Sequence, residues 1–313
     1  MLPENISSPK IVVVGSLNVD LVVQVERFAR PGETLPAKGF QTFIGGKGFN
    51  QGIAAARQGG AVSIVGRVGD DQFGVMLREV AAREGIGAER LIVTAGVSSG
   101  VALIAVDDAA ENAIMYVAGA NGKVTPEDVI AAESLIRSAD LVLAQLEIPL
   151  QAVMKAAELA KAAGVTMMLV PAPARPLPAE LLRNVDVIVA NREEVSMVLD
   201  EATYEPETDA RRLLAKGPHT VVVTLGGRGA LAVRAGQPTL SVPAFPVEAV
   251  DTTGAGDAFS GGLAVALAAK LPLDQALRRA AACGALACTV MGAEPSLPQR
   301  AAVDELLRKH ASA

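Results

Sequence analysis

The chain has 313 residues, half of them hydrophobic, and a formal net charge of −6. That is enough apolar material for a large core, while the acidic balance argues against a nucleic-acid partner, which needs a basic face. Aromatic residues make up 3% with no Trp, which argues against a platform of stacked rings for a sugar or base.

Met1 to Lys10 holds Pro, Glu and Asn and no long apolar run, so no signal peptide is expected there. No apolar run approaches the length of a membrane span, and a cytoplasmic location without membrane contact is the expectation. Ile11-Val-Val-Val14 reads as a buried strand ending at Gly15. Gln51 to Gln58 reads as helix, Ala61 to Val65 as strand, and Gln72 to Arg83 as a helix stopped by Gly85. Thr125-Pro126-Glu127-Asp128 opens another helix, with Thr as N-cap, Pro at the first position and acids in the first turn. Leu141 to Leu143 is a strand, Leu150 to Ala163 a helix ending at Gly164, and Val165 to Val170 a strand; Val187 to Val189 and Val221 to Thr224 continue the alternation. From Gly256 on the pattern is nearly all helix, and Cys283 and Cys288 read as two buried, reduced thiols within it.

Such alternation predicts an α/β fold with a mostly parallel sheet covered by helices on both faces. Two stretches break it. Val19 to Val25 with Gly39 to Ile44, and Val101 to Val106 with Ala113 to Val117, read as hairpin-like pairs with no helix between them. The expectation is one small accessory β-sheet, a lid drawn from about residues 16–45 and 98–120 of a single domain spanning 1–313. The competing reading makes them edge strands of the main sheet.

The chemistry concentrates in Asp251-Thr-Thr-Gly-Ala-Gly-Asp257, which runs into a helix read as Ala258 to Ala269. Glycines let backbone N–H groups converge, and a helix N-terminus adds unpaired amides and the positive end of its dipole. Amides of Gly254, Ala255 and Gly256 would thus form an anion hole suited to a phosphoryl group. A carboxylate beside a phosphate is repulsive unless it has a task, and Asp257 suits a base that takes the proton of an attacking hydroxyl. As an isolated Gly-x-Gly-Asp it would read as a helix cap; the whole seven-residue string does not. The two histidines, His219 and His310, read as surface residues, which leaves a carboxylate as the base.

Other segments offer polar side chains where α/β ligands bind. Asn18 and Asp20 lie two apart on one face of a strand. Glu147 follows the strand at Leu141. Gly45-Gly46-Lys47-Gly48 lacks the spacing of a phosphate-binding P-loop. Asn191 and Glu194 stand three apart, where a helix cap would look the same. Thr224-Leu-Gly226-Gly227-Arg-Gly229 follows a β-branched strand. A dinucleotide-dependent dehydrogenase is disfavoured, because Gly15-Ser-Leu-Asn-Val-Asp20 lacks the Gly-x-Gly-x-x-Gly pattern after the first strand.

In order along Lys10 to Arg300, the strings Gly15–Asp20, Gly45–Gln51, Pro171–Arg175, Asn191–Glu194 and Asp251–Asp257 resemble the ribokinase (PfkB) family of carbohydrate kinases. The resemblance implies ATP, Mg²⁺ and a small-molecule sugar, with D-ribose the leading acceptor and nucleoside, fructose or 2-keto-3-deoxygluconate as alternatives. It assigns Asn18, Asp20, Gly46, Lys47, Asn50, Glu147 and Asp257 to the sugar. Asn191, Thr224, Gly226, Gly227, Gly229 and Gly256 go to the nucleotide, and Glu194 to Mg²⁺ through water. It further implies a monovalent cation, K⁺ foremost, held by Asp251, Thr253, Ala287, Val290, Gly292 and Ser296. Phe49 departs from the small residue usual there, so an altered pocket shape is expected. A homodimer through the lid edges is expected, and a catalytically inactive sugar-binding regulator is the reading from a different class.

Overall fold

The computed structural model describes residues 8–109, 111–199 and 205–310. Its strands are β1 (Lys10–Val14), β2 (Asn18–Gln24), β3 (Gly39–Gly45), β4 (Ala61–Gly69), β5 (Gly87–Thr94), β6 (Gly100–Val106) and β7 (Asn112–Val117). They continue as β8 (Leu141–Ala144), β9 (Thr166–Leu169), β10 (Val187–Asn191), β11 (Thr220–Thr224), β12 (Ala230–Arg234) and β13 (Leu240–Val242).

Nine strands form one sheet in the order β13-β12-β11-β10-β9-β8-β1-β4-β5, parallel except for the β11–β12 and β12–β13 pairings. The central strands are apolar on both faces because both faces are covered. Ile11 and Val13 enter one core and Val12 and Val14 the other, as period-2 geometry requires. The remaining four strands form a separate sheet, β3-β2-β6-β7, in which parallel β2–β6 pairing joins two antiparallel pairs. The edge-strand reading of these segments is therefore replaced by the accessory-sheet reading.

Local signals behave as their chemistry dictates. Thr125 and Asp128 form a reciprocal capping box with Pro126 at the helix start. The helix Gln72–Arg83 has the predicted bounds, and Leu150–Ala163 ends at Gly164 in the left-handed region. The expected helix Gln51–Gln58 is in fact Lys47–Arg57, one turn earlier, and the helix expected from Ala258 starts at Ala255. Both starts place a glycine-rich string directly at a helix N-terminus. Among the described residues no helix is long and apolar enough to cross a membrane.

Candidate active site

The site lies where helices Lys47–Arg57 and Ala255–Ala268 begin. Strand β1 ends at Val14, and the chain then enters β2 through Gly15-Ser-Leu, so Asn18 and Asp20 open the smaller sheet beside the main one. Register pairs Asn18 with Gly45 across β2–β3, which brings Gly46 and the first helix to the same place.

That first helix is capped from elsewhere in the chain. Its Lys47 amide donates to Glu147 Oε2 at 2.9 Å, and its Gly48 amide donates to Ser16 Oγ at 3.2 Å. Ser16 Oγ in turn donates to Glu147 Oε2 at 2.6 Å. Glu147 thus has a structural task as well as its place at the site, and a negative charge there suits the helix dipole. Asn50, one turn on, points its amide at Asp257: Nδ2 donates to Oδ2 at 3.1 Å. Asn50 Oδ1 is buried without a hydrogen-bond partner among the described residues. Phe49 is fully buried in the core, so its ring shapes the core and not the pocket wall.

Gly254 adopts a left-handed conformation, φ 78°, as N-cap of helix Ala255–Ala268, and its carbonyl accepts from the Ala258 amide at 2.8 Å. The Ala255 amide donates to Thr252 O at 3.2 Å. Of the three amides expected in the anion hole, one is therefore engaged in the turn, and those of Gly254 and Gly256 are open among the described residues. Gly256 is exposed, and Asp257 stands in the helix's first turn.

Charge at the site is unbalanced. Lys47 faces four carboxylates, and although burial disfavours its charge, Asp257, Glu147, Glu194 and Asp20 hold its pKa above the usual value. Burial raises the Asp257 pKa, opposed by Lys47, Gln51 and Asn50. Burial, with the nearby charges of Glu147 and Asp257, pushes Asp20 up to about 6. Burial also raises Glu194, which the Asn191 amide and Lys47 partly offset.

A cleft of about 540 Å³ opens beside the N-terminus of helix Ala255–Ala268. Thr224, Gly226, Gly227, Gly229 and Gly256 line it, together with apolar Phe245, Val247 and Phe259. Five of the six residues expected at the nucleotide therefore meet in one cleft. The sixth, Asn191, is not among its lining residues but pairs in register with Thr224. Asn191 and Glu194 cap each other: Glu194 N donates to Asn191 Oδ1 at 2.8 Å, and Asn191 N donates to Glu194 Oε2 at 2.9 Å. The bland reading of that pair holds, and the field of Glu194 at Lys47 comes in addition to it. Cys283 is buried as expected, but Cys288 is only half-buried and lines the cleft.

The expected cation ligands fall in one region. Asp251 Oδ1 accepts from Thr253 N at 2.9 Å, and Oδ2 accepts from Gly292 N at 2.8 Å. These amides overcome burial and lower the Asp251 pKa. Ser296 Oγ donates to Ala293 O at 2.8 Å, Ala287 is buried, and Val290 is exposed. The histidines stand aside, His219 paired with Asp186 and His310 packed edge-on against Phe245.

Sequence reasoning passed over three buried amides at this site. Gln51 donates to Asp257 Oδ1 at 2.9 Å, Gln145 donates to Gln51, and Asn121 donates to Asn18 Oδ1 at 2.7 Å.

Residues 8–300 match the model of the pfkB family carbohydrate kinases. The chain belongs to the pfkB family of ATP-dependent carbohydrate kinases. A ribokinase of Haemophilus influenzae is 37% identical over 298 residues, 94% of this chain and 97% of that protein. A bifunctional ribokinase/ribose-5-phosphate isomerase A of Fructilactobacillus sanfranciscensis is 41% identical over 94% of this chain, which spans 55% of that longer protein. The structure of Arabidopsis thaliana ribokinase complexed with ribose and ATP superposes with a TM-score of 0.90 at 33% identity, covering 96% of this chain and 99% of that one.

Proposed function

We propose that this kinase transfers the γ-phosphoryl group of ATP to the primary hydroxyl of D-ribose, yielding D-ribose 5-phosphate. The observation that carries the reading is Asp257. It stands at a helix N-terminus with open amides, between an apolar cleft and a cluster of short polar side chains.

Asn18, Asp20, Gly46, Lys47, Asn50 and Glu147 hold the sugar, whose hydroxyls both donate and accept. The unpaired Asn50 Oδ1 supports this, because a buried orphan acceptor costs about 1–3 kcal/mol until a hydroxyl meets it. The base and ribose of ATP occupy the cleft at Thr224, Gly226, Gly227 and Gly229, with Asn191 beside it. The acceptor oxygen attacks the γ-phosphorus, its proton passes to Asp257, and the bond to the β–γ bridging oxygen breaks toward ADP. Amides of Gly254 and Gly256 stabilise the charge on the transferring group.

The donor set fits Mg²⁺ carried in on the nucleotide. Four carboxylates face one lysine, yet no group of three or more His, Cys, Asp or Glu among the described residues is arranged to hold a metal directly. Mg²⁺ keeps several waters and binds through few carboxylates, which suits Glu194 acting through water. When bound it neutralises charge on the phosphates. A monovalent cation, K⁺ foremost, suits the ionised Asp251 with the backbone carbonyls of Thr253, Ala287, Val290 and Gly292 and the hydroxyl of Ser296.

The smaller sheet serves as a lid of the same single kinase unit, excluding water from the phosphoryl group. Its outer strand β7 is exposed along its whole length and carries Ile114, Met115 and Val117. Two lids pairing their apolar surfaces would form a homodimer; light scattering that finds only monomer at micromolar concentration would contradict this. The test of function is a coupled ADP-release assay with D-ribose, 2-deoxy-D-ribose, D-fructose, adenosine and 2-keto-3-deoxygluconate. D-ribose should give the highest kcat/KM, and preference for another acceptor overturns the assignment.

A further inference from the structure

The base is gripped from behind. Asp257 Oδ1 accepts from Gln51 Nε2 at 2.9 Å, and Gln51 Oε1 accepts from Gln145 Nε2 at 2.7 Å. Both glutamines are fully buried. Three elements meet in this chain: Gln145 directly follows β8, Gln51 lies in helix Lys47–Arg57, and Asp257 opens helix Ala255–Ala268.

We propose that Gln51 and Gln145 are positioning residues for phosphoryl transfer, a two-amide relay that fixes the orientation of the Asp257 carboxylate and keeps it ionised. This rests on Asp257 being the base.

The polarity of the relay follows from one charge. An ionised carboxylate only accepts, so Gln51 must turn its NH₂ to Asp257. Its carbonyl oxygen then faces Gln145, which must in turn present its own NH₂. Gln145 Oε1 is left buried without a partner among the described residues. Nothing local to Gln145 rewards that orientation; the charge two hydrogen bonds away does. The amide also needs room. A Cβ at residue 15 would lie 2.3 Å from Gln145 Oε1, so only glycine at that position leaves the slot open.

The relay also separates the two carboxylate oxygens. Oδ1 is held by Gln51, which has no exposure to ligand. Oδ2 accepts from Asn50 Nδ2 at 3.1 Å, the side chain proposed above to hold the sugar. Oδ2 thus lies on the side of the residue assigned to the sugar, while Oδ1 faces the buried glutamine. The proton of the acceptor hydroxyl therefore goes to Oδ2. Both amides lower the Asp257 pKa against the burial that raises it.

The test measures kcat, KM and the pH dependence of kcat/KM for Gln51→Leu and Gln145→Leu, using the best acceptor of the panel above. The relay predicts a fall in kcat of about tenfold or more for Gln51→Leu with KM for ATP within about twofold, part of the roughly 10²–10⁴ that a positioned base supplies. The acidic limb of kcat/KM should move to higher pH by about half a unit or more, and Gln145→Leu should move it the same way by less. Unmoved limbs in both variants, with only a lowered Tm, overturn the relay and leave the glutamines as packing. If Gln51→Leu does not fold, the near-isosteric Gln145→Met carries the same readouts from two hydrogen bonds away. Asp257→Asn separates the two ideas: if it turns over normally the base assignment fails, and if it is inactive while the limbs stay put, the relay alone fails.

Discussion

Replacing Asp20 with asparagine should make the unliganded kinase more stable while weakening its hold on sugar. Asp20 sits among carboxylates, and burial with the charges of Glu147 and Asp257 raises its pKa from 3.8 to about 6. A carboxyl whose pKa is raised on folding binds its proton more tightly when folded, so ionising it destabilises the fold. The penalty is absent below the unfolded pKa, grows between about pH 4 and 6, and is complete above that. Full ionisation is worth on the order of 3 kcal/mol, an upper figure because solvent screens this half-buried group. Unfolding entropy of about 2.1 cal/mol/K per residue over 313 residues converts 2–3 kcal/mol to a Tm rise of about 3–5 °C. Thermal melts of wild type and Asp20→Asn at pH 8 should show that difference, shrinking to about a third by pH 4.5. Ribose at one hundred times its Kd should add about 2.7 kcal/mol to the wild type and much less to the variant. An Asp20→Asn protein no more stable than wild type at pH 8 would refute the claim that the ionised Asp20 carboxylate destabilises the fold.

Two further substitutions probe the phosphate end. Gly254→Ala puts a Cβ at φ 78° and 3.1 Å from Ala293 Cα, so it should cost about 1–2 kcal/mol and lower kcat by displacing the open amides, as melts and steady-state rates would show. Glu194→Gln removes a charge while keeping one face of the cap, so Tm should change little while the Mg²⁺ concentration for half-maximal rate rises several-fold; an unchanged Mg²⁺ titration would count against its role.

Much of this architecture could be read from local chemistry. The capping box at Thr125, the glycine stop at Gly164 and the doubly apolar strands each act through residues close in the chain. The separate sheet was legible because two strand pairs lacked intervening helices. Its assembly was less so, since the β2–β6 pairing that unites it joins residues some eighty apart. The capping of the first helix is not legible in its own string, because the caps come from distant side chains: Ser16 and Glu147 cap a helix that starts at Lys47. The glycines of Asp251–Asp257 make the helix N-terminus legible, but the turn that engages the Ala255 amide depends on backbone path and not on residue type. Gln51, Gln145 and Asn121 were illegible for a related reason. A buried amide in a helix or after a strand looks like any polar residue until its partner is placed beside it. Asn191 and Glu194 show the converse, a pair whose capping geometry and proposed Mg²⁺ role share one signature.

The central claim is that Asp257 accepts the proton of the acceptor hydroxyl. The most direct measurement pairs calorimetric titration of ribose and of ATP with single-turnover phosphoryl transfer in Asp257→Asn. The account predicts binding of both ligands within a few-fold of wild type and a transfer rate lower by about 10²–10⁴. A transfer rate near that of wild type would contradict it.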